Sequence, residues 1–248
     1  MDIRFDGRTI IVTGAASGIG LAIAERLAES GARVIVSDID QAASEAAAER
    51  IGHDALARAC DVSKPEAVEA LVDFAVTETG ALHGIVNNAG IGGAQAATGD
   101  YPLDSWDKVI GVNLSGVFYG TRYGIAAMRK TGGGVVVNIA SILGSVGFAN
   151  SVAYVAAKHG VVGLTKSAAL EHAGDNIRVN AIGPAFIHTP LIDEHLDDAT
   201  QQALAQMHAM KRLGKPSEVA DLCCYLLSDQ ASFITGSYHL VDGGYTAQ

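Results

Sequence analysis

The sequence is short of cysteine, proline, aromatic rings and positive charge, and each shortage excludes something. Its three cysteines, Cys60 and the adjacent Cys223 and Cys224, form neither an even disulfide framework nor a Cys-x-x-Cys metal or redox spacing, so they read as buried thiols. Seventeen Lys and Arg stand against 27 Asp and Glu, a formal net charge of −10. No basic cluster is available to displace phosphate counterions, which argues against nucleic acid as a partner. No apolar run approaches the roughly 18 residues of a membrane span, so no membrane partner is expected. Met1 to Asp6 lacks the apolar stretch of a secretory signal, and a cytoplasmic location is expected.

What is abundant is small and aliphatic. Hydrophobic residues make up 49% of the 248 positions but aromatics only 6%, a composition suited to helices packed closely on a buried parallel sheet. Short apolar runs read as strands at Thr9–Val12, Arg33–Val36, Ala55–Ala59, Gly84–Val86, Val135–Ile139, Ile177–Ile182 and Tyr238–Val241. Helical patterns lie between them. One runs from Leu21 to Glu29 and stops at Gly31, one opens at the capping-box spacing Ser63-Lys64-Pro65-Glu66, one covers Ser151 to Glu171, and one starts at Lys215-Pro216-Ser217-Glu218. Alternation of this kind predicts an α/β fold: a Rossmann-type, doubly wound, seven-stranded parallel sheet with helices on both faces. Residues 1–248 are expected to form a single domain, with an insertion over the sheet at about 190–211.

The first strand leads into Thr13-Gly14-Ala15-Ala16-Ser17-Gly18-Ile19-Gly20 and then a helix. Glycines there let backbone turn tightly and approach a pyrophosphate, whose charge meets free N–H groups and the helix dipole. An ordinary strand-to-helix turn has the same spacing, but Asp38 ends the second strand, where an acid can accept bonds from both ribose hydroxyls and repel a 2′-phosphate. NAD is therefore expected over NADP, unless Asp38 is only a strand-end or capping residue.

Tyr154 and Lys158 are four apart in a helical stretch and so share a face. A free phenol titrates near ~10. A neighbouring ammonium and a cationic nicotinamide ring both favour the phenolate, which could then exchange a proton with an alcohol while hydride moves. The same spacing is common in surface pairs. Ser141 follows the strand Val135–Ile139, at a carboxyl end where doubly wound sheets bind ligands, and its hydroxyl can hold a substrate oxygen. Asn113 sits inside a long helical stretch, where a satisfied interior amide is an equal reading.

With these residues together, the chain resembles the short-chain dehydrogenase/reductase family, in its compact single-domain branch, along essentially its whole length. The resemblance implies that Gly14, Ser17, Gly18, Ile19 and Gly20 form the cofactor turn, Asp38 selects NAD, Asp61 and Val62 contact adenine, and Asn88, Ala89 and Gly90 touch the adenosine ribose. It implies a catalytic tetrad of Asn113, Ser141, Tyr154 and Lys158, with Lys158 also on the nicotinamide ribose and Asn113 supporting a water that links Lys158 to solvent. Pro184, Ile187 and Thr189 match the segment that holds the carboxamide. Two departures occur: Ala185 stands where the family usually has glycine, and Ala140 where a second serine is frequent. Val241 to Gln248 and Thr189 to Asp193 look like the R-selective, magnesium-dependent secondary alcohol dehydrogenases of the family, which implies a structural Mg2+ at Gln248. That group prefers NADP, whereas Asp38 predicts the reverse here. The family further implies a homotetramer.

Apolar residues flanking the tetrad supply the expected substrate pocket, namely Leu143, Val146, Phe148, Phe186 and Leu191, with Gly92, Gly93, Ile192, Met207 and Met210 as further wall candidates. Such walls suit a small hydrophobic alcohol or ketone. The expected activity is an NAD-dependent alcohol dehydrogenase or ketone reductase that interconverts secondary alcohols and ketones. The alternative, a 3-oxoacyl-thioester reductase, shares the tetrad but calls for a basic rim to receive its carrier protein. A nucleotide-sensing regulator on the same fold would tend to have lost Tyr154 or Lys158.

Overall fold

The computed structural model describes residues 3–189 and 197–247. Seven parallel strands form one sheet in the order β3-β2-β1-β4-β5-β6-β7, with β1 at Thr9–Thr13, β2 at Arg33–Ser37, β3 at Leu56–Ala57, β4 at Gly84–Asn87, β5 at Gly134–Ile139, β6 at Ile177–Pro184 and β7 at Tyr238–Val241. Register pairs Ile11 with Ile35 and Ile85, and Val136 with Ile85 and Val179. Strand order reverses between β1 and β4, which opens a crevice beyond their carboxyl ends.

Alternation along each strand divides the core into two layers. Ile10, Val12, Val34, Val36 and Val137 pack with α1 (Gly18–Glu29), α2 (Gln41–Ile51) and α8 (Pro216–Leu227). Ile11, Ile35, Ile85, Val136 and Val179 pack on the other face with α3 (Pro65–Thr79), α5 (Gly116–Met128) and α6 (Val152–His172). Each fully buried Val or Ile contributes about 1.5–3 kcal/mol. Two shorter helices, α4 (Leu103–Ile110) and α7 (Asp198–Gln206), complete the described set. All three cysteines are buried.

Several local expectations are corrected. β3 keeps only Leu56–Ala57 rather than Ala55–Ala59, because it is an edge strand. The chain beyond it still donates from the Arg58 and Cys60 amides to the Val36 and Asp38 carbonyls. Ser63 does not cap α3. Its hydroxyl donates to Asp61 Oδ1 at 2.7 Å, and Lys64 holds the N-cap position without a side-chain cap bond. The long helix around Asn113 is interrupted by a π-helical turn at Gly111–Ser115 between α4 and α5. Such widened turns re-aim a side chain out of the regular ladder. Of the expected 190–211 insertion, the described part contains α7, whose start is capped by Asp197 accepting from the Thr200 amide at 2.8 Å.

Candidate active site

Loops that follow β1, β2, β4, β5 and β6 enclose a cavity of about 620 Å³. Its wall contains most of the residues singled out from the sequence: Gly14, Ser17, Gly18, Ile19, Asp38, Asp61, Val62, Asn88, Ala89, Gly90, Ser141, Leu143, Phe148, Tyr154, Lys158, Pro184, Phe186 and Thr189.

The turn after β1 shows why glycine is needed. Gly14 and Gly18 have φ of +62° and +56°, in the left-handed region. A Cβ on Gly14 would stand 2.8 Å from Ala89 Cα, and one on Gly20 would stand 2.1 Å from the Gly14 carbonyl oxygen. Gly20 is thus absent from the wall but sets the closeness of turn to helix. Thr13 Oγ1 accepts from the Asn88 and Ala89 amides at 3.0 and 3.2 Å, while Asn88 Nδ2 donates to the Thr13 and Gly14 carbonyls, both at 2.9 Å. These bonds lock β1 to β4 at the reversal point. Ser17 caps α1 without a side-chain bond and no acid occupies the first turn, so the helix start presents its partial positive charge at the cavity wall.

Asp38 serves the turn as well as facing the cavity. Its Oδ2 accepts from the Ala16 amide at 3.2 Å and its Oδ1 from the Ile39 amide at 2.8 Å. The glycine turn, the acid beside it and a cavity that both share with Tyr154 and Lys158 fit a dinucleotide.

At the other side of the cavity, Ser141 lies two residues beyond β5 and accepts from the Leu143 amide at 3.2 Å. Its hydroxyl faces Tyr154 on α6 closely enough to act on the phenol's pKa. One turn on, Lys158 is 3% exposed and donates from Nζ to the Ile139 carbonyl at 2.8 Å, with Nζ 5.4 Å from the Tyr154 ring centre. Burial lowers the Lys158 pKa to about 8. The Tyr154 pKa is raised, chiefly by burial, although the Ser141 hydroxyl acts the other way. In the protein alone burial thus favours the neutral phenol.

Asn113 is wholly buried behind the wall, with Oδ1 accepting from the Ile91 amide at 2.8 Å and Nδ2 donating to the Ile91 carbonyl at 2.7 Å. The π turn thus commits its amide to the loop after Gly90. Ile187 packs in the core at 4% exposure and is not in the wall. Val146, Gly93, Met207 and Met210 are not in the wall either; the two methionines are 38% and 61% exposed, because α7 and the chain after it turn them outward. Gly92 does line the cavity, as do the departures Ala140 and Ala185. Leu191, Ile192 and Gln248 lie outside the described residues. Among the described residues no group of three His, Cys, Asp or Glu could hold a metal ion, and no helix is long and apolar enough to cross a membrane.

Sequence reasoning placed Phe148 and Phe186 in the pocket but missed several of the pairings around them. Phe186 meets Phe148 edge-on at 6.0 Å and is backed by His208 and Tyr245, each at 5.9 Å. Gln95 and Ser151, both in the wall, form a polar pair at 3.2 Å between Nε2 and Oγ. The Tyr238 hydroxyl donates to the Ser141 carbonyl. Nothing in local spacing marks these, since each partner comes from a distant segment.

A family model described as enoyl-(acyl carrier protein) reductase matches residues 14–246. Cyclohexanol dehydrogenase of Acinetobacter sp. (strain SE19) is 45% identical over 251 residues, covering 100% of this chain and 98% of that protein. The chain belongs to the short-chain dehydrogenase/reductase family. Another family member, cis-4-hydroxycyclohexanecarboxylate dehydrogenase of Sinomonas cyclohexanicum, is 43% identical, with 100% of both chains covered. Among solved structures, a putative short-chain alcohol dehydrogenase from Sinorhizobium meliloti 1021 superposes with a TM-score of 0.94 at 34% identity, covering 100% of each chain. Short-chain dehydrogenases work with a nicotinamide cofactor, which agrees with the dinucleotide-shaped cradle.

Proposed function

We propose that this short-chain dehydrogenase interconverts cyclic secondary alcohols and their ketones with NAD, using Tyr154 as the proton-transfer group. The observation that carries the reading is the meeting of Tyr154, Ser141 and Lys158 in the wall of the same cavity that the glycine turn lines. Curated relatives named for cyclohexanol and hydroxycyclohexanecarboxylate support a ring substrate, and the Phe148–Phe186 pair supplies an apolar surface for one.

The turn residues Gly14 to Gly20 hold the pyrophosphate on backbone, Asp38 takes the ribose hydroxyls, and Asp61 and Val62 flank the adenine. Asn88, Ala89 and Gly90 lie along the ribose, with Pro184 and Thr189 at the carboxamide. The bound nicotinamide supplies the hydride acceptor for oxidation and the hydride donor for reduction. Ser141 holds the substrate oxygen beside Tyr154 Oη. In reduction Tyr154, kept protonated by burial, gives its proton to that oxygen. In oxidation it takes the proton back, and the Lys158 ammonium lowers the cost of the phenolate. Asn113 steadies the loop at Ile91 that forms part of the wall.

A carrier-linked acyl reductase is less well supported, since the chain has a net charge of −10 and its named relatives act on small alcohols. The reading takes residues 1–248 as one dinucleotide-binding domain. It also takes the protein as a homotetramer, for which exposed Leu103, Phe118 and Leu170 on α4, α5 and α6 offer apolar contact surface; light scattering should return four times the monomer mass. The deciding experiment follows reduced-nicotinamide absorbance with NAD and with NADP over a panel of cyclic and acyclic secondary alcohols. Turnover of cyclohexanol-type substrates with NAD is expected, and silence across the panel overturns the reading.

A further inference from the structure

We propose that Tyr238 is a positioning residue that reaches across β6 to hold the backbone carbonyl of Ser141, and thereby sets where the Ser141 hydroxyl stands against Tyr154. The role rests on the alcohol-dehydrogenase reading of the site.

Strand order makes the contact unusual. β7 and β5 flank β6, so at about 4.8 Å per strand their axes lie about 10 Å apart. A β7 side chain can touch the residues after β5 only by lying over β6. The crossing point is Gly183, where a Cβ would stand 2.4 Å from Tyr238 Oη and 2.5 Å and 2.6 Å from Cε2 and Cζ. Gly183 is neither a turn residue nor among the residues of positive φ; it lies inside a strand, where glycine weakens the element and marks a close approach. What approaches is the phenol.

Tyr238 then meets the loop that carries Ser141 at two points. Its hydroxyl donates to the Ser141 carbonyl, and the Ser145 hydroxyl on the same loop lowers its pKa against the larger effect of burial. Its ring packs in the small cluster of Ala140, Val161 and Val162, the last two from the helix that carries Tyr154 and Lys158. The phenol thus braces both the serine loop and the catalytic helix against the last strand. Charge couples the two phenols as well, since Tyr238 contributes to the raised pKa of Tyr154.

Tyr238→Phe tests the proposal because it keeps the ring and removes the hydroxyl. It should lower kcat about tenfold, as expected for loss of one well-placed bond. KM for the alcohol and the NAD dissociation constant should stay within about twofold, and backbone amide exchange at Gly144, Ser145 and Val146 should quicken by about tenfold in the cofactor-free protein. Gly183→Ala, which drives the phenol off the carbonyl, should reproduce the kcat loss, and adding Tyr238→Phe to it should cost little more. Unchanged kcat in Tyr238→Phe would overturn the proposal. So would a kcat loss matched by an equal loss of NAD affinity, which marks general damage to the sheet. Amide exchange needs no turnover: unchanged exchange overturns the role of Tyr238 by itself, whereas a parent protein silent on every alcohol overturns the function reading and leaves the exchange result to decide the brace. If Gly183→Ala fails to fold, Tyr238→Phe still decides.

Discussion

Around β1 and β2 the cavity is walled by backbone, with Gly14 and Gly18 in the left-handed region and Asn88 and Thr13 tying the turn to β4. Beyond β5 and β6 it is walled by side chains: the Phe148–Phe186 pair, the Ser141 and Tyr154 hydroxyls, and Lys158 anchored on Ile139. A backbone cradle tolerates almost no change, because a Cβ on Gly14 or Gly20 meets a main-chain atom. An apolar side-chain wall tolerates many changes of shape, provided that the few polar groups keep their places. The cofactor end of the molecule should therefore answer mutation through binding and the substrate end through turnover.

The sharpest break in that contrast comes from Tyr154→Phe, which should reduce kcat about a thousandfold while NAD binding, read by titration calorimetry, stays within about twofold. A loss of affinity as large as the loss of rate would erase the distinction between the ends. Gly20→Ala is the counterpart at the cradle. Its methyl would stand 2.1 Å from the Gly14 carbonyl oxygen, so NAD affinity should fall about a hundredfold, with about 1–3 kcal/mol lost from stability in urea titrations. Next in size, Asp38→Asn should cut the preference for NAD over NADP by about thirtyfold in kcat/KM ratios, since it removes the charge that repels a 2′-phosphate. An unchanged ratio would leave Asp38 with only its bonds to Ala16 and Ile39.

The smallest effect concerns Lys158. Its pKa falls from an ordinary 10.5 to about 8 on burial. Between those two values the unfolded chain holds the proton and the folded protein has released it, so stability rises with pH across that window. Below pH 8 both states are protonated and the burial penalty is constant. Denaturant titrations from pH 8 to 10 should show a slope of at most about 1.4 kcal/mol per pH unit from this group, and Lys158→Met should abolish it.

Much of this was legible along the chain. Seven strands were visible as short apolar runs, and their alternation with helices predicted the parallel sheet, because a sheet buried on both faces must be built from such runs. The cradle was legible for the same reason that it is intolerant: a positive φ or a close backbone approach leaves a glycine in the sequence. Tyr154 and Lys158 were legible because a helix turns a spacing of four into a shared face. Asp38 was legible as the acid at a strand end, although not its bonds to Ala16 and Ile39.

Other expectations failed where a local pattern has several tertiary outcomes. Ser63 had the spacing of a cap and instead bonds Asp61. Met207 and Met210 were apolar and near in sequence, yet face outward. Val146 and Ile187 sit beside the wall rather than in it. No periodicity records which way a loop residue turns once the chain has left a helix or strand.

By itself, then, the sequence determined the strand alternation, the glycine turn, the acid that follows β2 and the tyrosine–lysine pair, all features written within a few residues by backbone geometry. Only the tertiary structure decided that Asn113 is spent on Ile91, that burial raises the pKa of Tyr154, that His208 and Tyr245 stand behind Phe186, and that Tyr238 crosses a bare Gly183 to reach Ser141. Those pairings join segments far apart in the chain, and their partners are chosen by the packing of the sheet rather than by any spacing along it.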